Sequence, residues 1–259
     1  MRVLRKGMNG NDVSDWQNFL RGEGFYKNIV DGDFGKGTED ASKKFQKKNG
    51  LVADGIIGNQ SYGVAFMLGF SPLTDEDESK SGPNWPSKPD FSSLNNIQRV
   101  ELFGKIEFKA SGSSANPEGI TITNNWTKDN LTKVNIPQLQ GILGAPKNGD
   151  VFWHKKGAEQ LQGLFQAWED AGMMPLVLGW AGSWVPRFIR GSRTILSNHS
   201  YATAFDINVP WNGLGKQPAL VGQKGSVREL VPLAYEYGFF WGGYFSRKDG
   251  MHFELAKIL

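Results

Sequence analysis

The sequence predicts an α+β chain in two unequal parts, and three observations carry that reading. Two similar Asp-Gly turns recur within the first 70 residues, among short amphipathic helices. Residues 71–93 then combine Pro, Ser and an acidic cluster with little periodicity, which is a linker composition. Beyond them strand-like and helix-like segments alternate irregularly, in the order of an α+β domain with a small antiparallel sheet flanked by helices. At 259 residues the chain has room for one small and one medium domain. The expected division is 1–70, a linker over 71–93, and 94–259.

In chain order, Val13, Trp16 and Leu20 fall at i, i+3 and i+7 behind an Asn11/Asp12 cap, and Gly24 ends that first helix. The first turn is Asp31-Gly32-Asp33-Phe34-Gly35; the second, Asp54-Gly55-Ile56-Ile57-Gly58, repeats it 23 residues later. Between them Ala41 and Phe45 stack at i, i+4 behind Thr38, and Gly50 closes a second helix. Further on, Ala158, Leu161, Phe165 and Trp168 share a helical face that Gly172 stops. Residues 175–180 read as a buried strand, and Asp206 falls within a strand over 203–208. Ser226 and Glu229 form a capping-box signal for a helix through Val227, Leu230, Val231 and Ala234, ending near Gly238. Residues 239–241 and 251–255 are strand candidates around a Gly-rich turn.

Composition removes several chemistries. Cysteine is absent, so no disulfide, thiolate zinc site, cysteine nucleophile or iron–sulfur cluster is available. Imidazole comes only from His154, His199 and His252. The net charge of +3 with mixed signs gives weak attraction to polyanions, and without a long Lys/Arg block no nucleic-acid binding is expected. No apolar run approaches the roughly 18 residues of a membrane span, so no membrane insertion is expected. The charged start lacks a following apolar core, so no secretion signal is read there.

The run from Asp31 to Ser61 resembles the peptidoglycan-binding domain found at the ends of many cell-wall hydrolases, a small three-helix module. The matching residues are Asp31, Gly32, Phe34, Gly35, Thr38, Ala41, Phe45, Gln46, Gly50, Leu51, Asp54, Gly55, Ile57 and Gly58, with Asp12, Val13, Trp16 and Gln17 fitting its first helix. The resemblance covers residues 3 to about 68 and implies peptidoglycan as partner, without saying which side chains touch it.

The second part holds the chemistry. His199 and Asp206 lie seven apart, on neighbouring elements rather than one helical face, and His252 follows in a turn that runs into a strand. Two His and one Asp make a complete set of three Zn²⁺ ligands with the fourth tetrahedral position open, as a hydrolase needs. A carboxylate beside that position is the required proton acceptor, and both Asp249 and Glu254 are candidates. Glu254 shares the strand face of His252 by alternation, whereas Asp249 sits in the preceding turn and is free to lean over the site.

These segments resemble the zinc peptidases of the D-alanyl-D-alanine carboxypeptidase and L-alanyl-D-glutamate endopeptidase family, which includes phage endolysins. Ser197, His199, Ala204 and Asp206 match the first half of its pattern; Asp249 and His252 match the second. One departure is that the family's usual Gly falls at Ala202. The resemblance implies a hedgehog/DD-peptidase-like fold, one Zn²⁺ per chain on His199, Asp206 and His252, and Asp249 as general base. It also implies a substrate-binding arginine before the first ligand, with Arg187 first choice and Arg193 second. His154 lacks such a pattern and is not expected as a ligand, while Trp180, Trp184, Trp211, Trp241 and Tyr244 are candidates for core or cleft wall. The two resemblances together describe a monomeric peptidoglycan hydrolase, held in the host bacterial cytoplasm until released to the wall. The stem-peptide bond it cuts is left open.

Overall fold

The computed structural model describes residues 1–68, 70, 84–114 and 116–259 of the chain. Most of the stretch expected as linker, 71–83, lies outside the described residues. The described residues form two hydrophobic cores, one of residues between Leu4 and Phe70 and one of residues between Trp85 and Leu255. Trp85, inside the expected linker, belongs to the larger core and packs on Tyr244 at 5.3 Å between ring centroids.

The smaller unit has three helices, α1 (Asn11–Gly22), α2 (Lys36–Lys48) and α3 (Asn59–Met67). The expected apolar stripe of α1 is its buried face, and Trp16 stands at the centre, edge-on to Phe45 at 5.4 Å and to Tyr62 at 5.9 Å. The cap differs from expectation: Gly10 is the N-cap and has no side chain to accept from the first-turn N–H groups. Asp12 is engaged instead by Arg2 and by the Val13 N–H, and the Asn11 side chain lies outside the described residues. Helix α2 likewise begins ahead of Thr38, at Lys36, because the Thr38 hydroxyl is taken by a partner in α1.

That partner explains the repeated turns. Gln17, fully buried, donates from Nε2 to Asp31 Oδ1 (2.8 Å), the Asp33 carbonyl (2.9 Å) and Thr38 Oγ1 (2.9 Å), and accepts at Oε1 from Gly32 N–H (2.9 Å). Gln46 does the same for the second turn, donating to Asp54 Oδ1 (2.8 Å), the Ile56 carbonyl (2.9 Å) and Ser61 Oγ (3.1 Å), and accepting from Gly55 N–H (2.8 Å). Gly32 and Gly55 take the same left-handed φ of +78°, which favours Gly there. Each buried amide therefore closes one turn and ties it to the start of the next helix.

The larger unit is built on a four-stranded antiparallel sheet ordered β5-β6-β8-β7, with β5 at Trp180–Gly182, β6 at Ala204–Ile207, β7 at Phe239–Trp241 and β8 at His252–Leu255. Two ribbons precede it, β1 (Phe108–Ala110) with β2 (Ile120–Ile122), and β3 (Leu131–Asn135) with β4 (Asp150–His154). The helices are α4 (Asn96–Phe103), α5 (Trp126–Asn130), α6 (Ala158–Asp170) and α7 (Val231–Glu236). The strand expected over 175–180 begins later: Pro175 lies in a 3-10 turn over Met174–Leu176, and pairing starts at Trp180. Proline suits the first turn of a helical segment and cannot donate to a ladder.

Strand alternation makes the sheet two-faced. Phe205 and Phe253 pair across β6 and β8 and stack at 5.4 Å, against Phe165 and Trp168 from the apolar face of α6. Burying each such ring contributes roughly 2–3 kcal/mol. Asp206 and His252 pair one position along, as do Ala204 and Glu254, so these polar groups occupy the opposite face.

Candidate metal centre

The site is assembled on that polar face, where Asp206 and His252 stand directly across the β6–β8 ladder. His199 arrives from a 3-10 turn, Asn198–Tyr201, whose start is capped by Ser197 Oγ accepting the His199 N–H at 3.3 Å. Ala202 ends this turn in the left-handed region at φ 51°, with no exposed surface. A non-Gly residue held there carries roughly 1–2 kcal/mol of strain, which gives the physical reason a glycine suits this position. The turn is secured nonetheless, because Ala202 accepts at its carbonyl from His154 N–H (2.8 Å).

Three side-chain atoms converge. His199 Nε2 is 3.2 Å and His252 Nδ1 3.0 Å from Asp206 Oδ1, and the two nitrogens are 3.3 Å apart. Zinc with ligands about 2.0–2.1 Å away in a tetrahedron needs those atoms about 3.3 Å from each other, so the triangle has the size of a zinc face. The outer nitrogens are also provided for: His199 Nδ1 lies 3.2 Å from the Ser183 carbonyl and His252 Nε2 3.1 Å from Glu254 Oε2. An acceptor on the far nitrogen fixes the tautomer that turns the near one inward. Among the described residues this is the group of His and carboxylates close enough to hold a metal ion.

Asp206 and His252 shift each other's proton affinity in opposite directions. Burial opposes charge on His252, but hydrogen bonds to Asp206 and Glu254 outweigh it and raise its pKa to about 10. Burial would likewise raise Asp206, yet the two imidazoles hold its carboxyl far below the usual range.

Asp249 behaves differently. Its backbone is pinned in the turn before β8, donating N–H to the Gly242 carbonyl (2.9 Å) and accepting from His252 N–H (3.0 Å). Its Oδ1 is buried with no hydrogen-bond partner among the described residues. Burial pushes its carboxyl up to about 6, against the pull of His252 and with some help from Asp206. A buried carboxylate oxygen that the protein leaves unsatisfied is unusual and points to a ligand or a reaction.

His199, His252, Asp249 and Glu254 line a cavity of about 400 Å³, within the usual range for small-ligand sites. Arg187, Arg190 and Arg247 line it as well. Arg187 is anchored to the His199 turn, since the Ser200 hydroxyl donates to its carbonyl (2.7 Å) and accepts its N–H (2.8 Å). Arg190 and Arg247 have no hydrogen bond or ion pair among the described residues. Arg193 stands outside the cavity and donates to the Pro117 carbonyl at 3.2 Å. His154 is buried elsewhere, between Phe103 and Trp126, bonded to the Phe103 carbonyl and Lys156 N–H and kept neutral by burial, which lowers its pKa to about 4. Trp180 and Trp241 are core residues, and neither they nor Trp184, Trp211 or Tyr244 line the cavity.

Arg99, Asn198 and the pairing role of Glu254 escaped sequence reasoning. Arg99 lies on α4, remote in the chain from the other site residues, in a segment for which the sequence reading named no element. Glu254 was legible by its i+2 spacing from His252, but as a proton acceptor rather than as a partner of the ring.

With that geometry described, residues 190–255 match a family described as D-alanyl-D-alanine carboxypeptidase, and residues 9–63 match one described as putative peptidoglycan binding domain. A spore cortex-lytic enzyme of Bacillus cereus is 46% identical over 57 residues, 22% of each chain. The N-acetylmuramoyl-L-alanine amidase CwlM of Mycobacterium tuberculosis is 37% identical over 87 residues, 30% of this chain and 21% of that one. A solved structure of the SleB N-terminal domain is 39% identical, covering 26% of this chain and 90% of that one at a TM-score of 0.25. The chain spans about a fifth of the length of these two curated relatives.

Proposed function

We propose that the chain is a peptidoglycan hydrolase in which residues 94–259 cut a peptide bond of the wall's stem peptide and residues 1–70 hold it on the wall. The observation that supports this most is the triangle of His199, Asp206 and His252 beside the unpartnered Asp249. The donor set and its spacing fit one Zn²⁺, which when bound would polarise the scissile carbonyl and make water acidic enough to attack near neutral pH.

The chain's own residues do the rest. Asp249 takes a proton from the attacking water at its free Oδ1 and returns it to the leaving nitrogen, a task suited to a carboxyl whose pKa burial has moved toward neutrality. Arg187, whose backbone is fixed to the ligand turn through Ser200 and whose Nη1 donates to the Phe188 carbonyl (3.2 Å), lines the cavity and is the cation for the carbonyl oxygen as negative charge grows there. Arg190 and Arg247 make the cavity cationic, which favours peptides that carry carboxylates, as stem peptides do. The address module raises the local concentration of the cutting module on an insoluble substrate. One address domain plus one cutting domain is the arrangement of an endolysin, and we extend the proposal to that class, acting as a monomer.

The test is digestion of purified cell walls with and without a chelator, with products read by mass spectrometry. New amino termini that vanish on metal removal and return with zinc are expected. Cleavage indifferent to the chelator, or new reducing ends in place of amino termini, would overturn the reading.

A further inference from the structure

The acidic residue two places beyond His252 has no assigned role, and its surroundings give it one. Glu254 is buried on β8, opposite Ala204 of β6, whose small side chain leaves room for it. Its Oε2 faces two donors, His252 Nε2 at 3.1 Å and the Asn198 side-chain amide. Asn198 in turn meets Arg99, whose Nη1 donates to Asn198 Oδ1 at 3.1 Å and to the Leu196 carbonyl at 3.2 Å.

The order of donors in this chain is forced. A guanidinium has no acceptor, so the Asn198 oxygen must turn to Arg99 and its NH₂ to Glu254. An ionised carboxylate has no donor, so the His252 nitrogen facing it must carry hydrogen. That leaves His252 Nδ1 as the atom turned to Asp206 and His199. Thus Arg99, on α4 (Asn96–Phe103), orients Asn198, and Asn198 shares with the outer nitrogen of His252 the Glu254 oxygen that holds the ring.

We propose that Glu254, oriented by Asn198 and Arg99, is the positioning residue that holds the His252 ring by its outer Nε2, keeps Nδ1 turned to Asp206 and His199, and so sets metal affinity; this rests on the reading of the triangle as a metal site. Glu254 is thereby distinguished from the proton acceptor: its accepting oxygen is already occupied, whereas Asp249 Oδ1 is free.

The experiment measures zinc dissociation constants of the full chain by competition with a chromophoric chelator, for wild type, Glu254→Ala, Glu254→Gln, Asn198→Ala and His199→Ala. Loss of a ring-orienting partner typically weakens metal binding 10–100-fold. Glu254→Ala should fall in that range and Asn198→Ala should lose several-fold, while Glu254→Gln, which keeps an acceptor oxygen, should stay within a few-fold of wild type. Nitrogen-15 NMR of the zinc-loaded chain gives a second readout, with the His252 Nε2–H signal protected from solvent exchange in wild type and exchanging faster in Glu254→Ala. Wild-type affinity in a folded Glu254→Ala, or an equally protected Nε2–H signal, overturns the positioning role alone. Zinc binding that is absent in wild type, or untouched by His199→Ala, overturns the metal-site reading and the inference with it. If Glu254→Ala does not fold, Asn198→Ala decides, and affinity unchanged there overturns the proposal.

Discussion

The two Gln-clamped turns of the small unit and the His–Asp cluster of the large one are both buried polar networks, built to opposite ends. Gln17 and Gln46 use both the oxygen and the nitrogen of their amides, and the turn, its carbonyls and the next helix are all satisfied. At the cluster the outer nitrogens of both imidazoles are paired, yet Asp249 Oδ1 is left without a partner beside a cavity. A closed network stabilises and then has nothing further to offer; one left open at a single atom retains a valence for substrate or ion. The difference teaches where to look in a chain with many buried polar groups: for the atom whose neighbours are all satisfied while it is not.

The largest effect expected from breaking that contrast is at Asp249. Asp249→Asn keeps shape and removes the proton acceptor, so wall cleavage should fall 10²–10⁴-fold with zinc content unchanged. Because the native carboxylate is buried and unpaired, thermal stability should hold or rise. A loss of melting temperature matching the loss of activity would mean that Asp249 is structural.

Gln17→Ala should give the mirror result. It strands the Gly32 N–H and several acceptors in a buried site, costing about 3 kcal/mol in the small unit while cleavage of a soluble peptide stays unchanged. Denaturant unfolding followed with a probe in that unit checks the first part, and a soluble-substrate assay checks the second.

Acid should separate the networks by pH. Asp249 must be ionised to accept a proton, so cleavage should decline as pH falls through about 6. His154 acts on stability instead. Its folded pKa of about 4 lies below the ordinary 6.5, so the unfolded chain binds the extra proton first. Its contribution of about 3 kcal/mol is therefore fully present above pH 6.5 and is lost as pH falls toward 4. The unfolding midpoint of His154→Gln should vary less over that window than that of wild type; equal slopes would remove His154 from the account.

The smallest effect is at Ala202. Ala202→Gly relieves the left-handed strain but gives up a buried methyl and adds chain entropy in the unfolded state, so stability should change by less than about 1 kcal/mol, with zinc binding intact. A larger loss would mean that the methyl, not the backbone, holds the ligand turn.

How much of this was legible in the sequence differs by unit. In the small unit the Asp-Gly turns and the Val13, Trp16, Leu20 stripe act locally and are seen where expected. The second helix starts at Lys36, ahead of Thr38, whose hydroxyl accepts from Gln17, a contact 21 residues away that no local pattern signals. At the site His199, Asp206, Asp249 and His252 were legible as a spaced pattern, whereas no spacing separated Arg187, which lines the cavity with Nη1 on the Phe188 carbonyl, from Arg193, which donates to the Pro117 carbonyl outside it.

The sequence by itself determined the local features: strand alternation that puts Phe205 and Phe253 on one face and Asp206, His252 and Glu254 on the other, glycines where φ must be positive, and the absence of any thiol. Only the tertiary structure decided which side chains are answered and which are not. Arg99 and Asn198 became partners of Glu254 because α4, the ligand turn and β8 meet in space. Asp249 was left with a free oxygen because none of the described groups packed around it brings a donor within reach. Satisfaction of a buried polar group depends on its neighbours within about 3 Å, and those neighbours come from segments far apart along the chain.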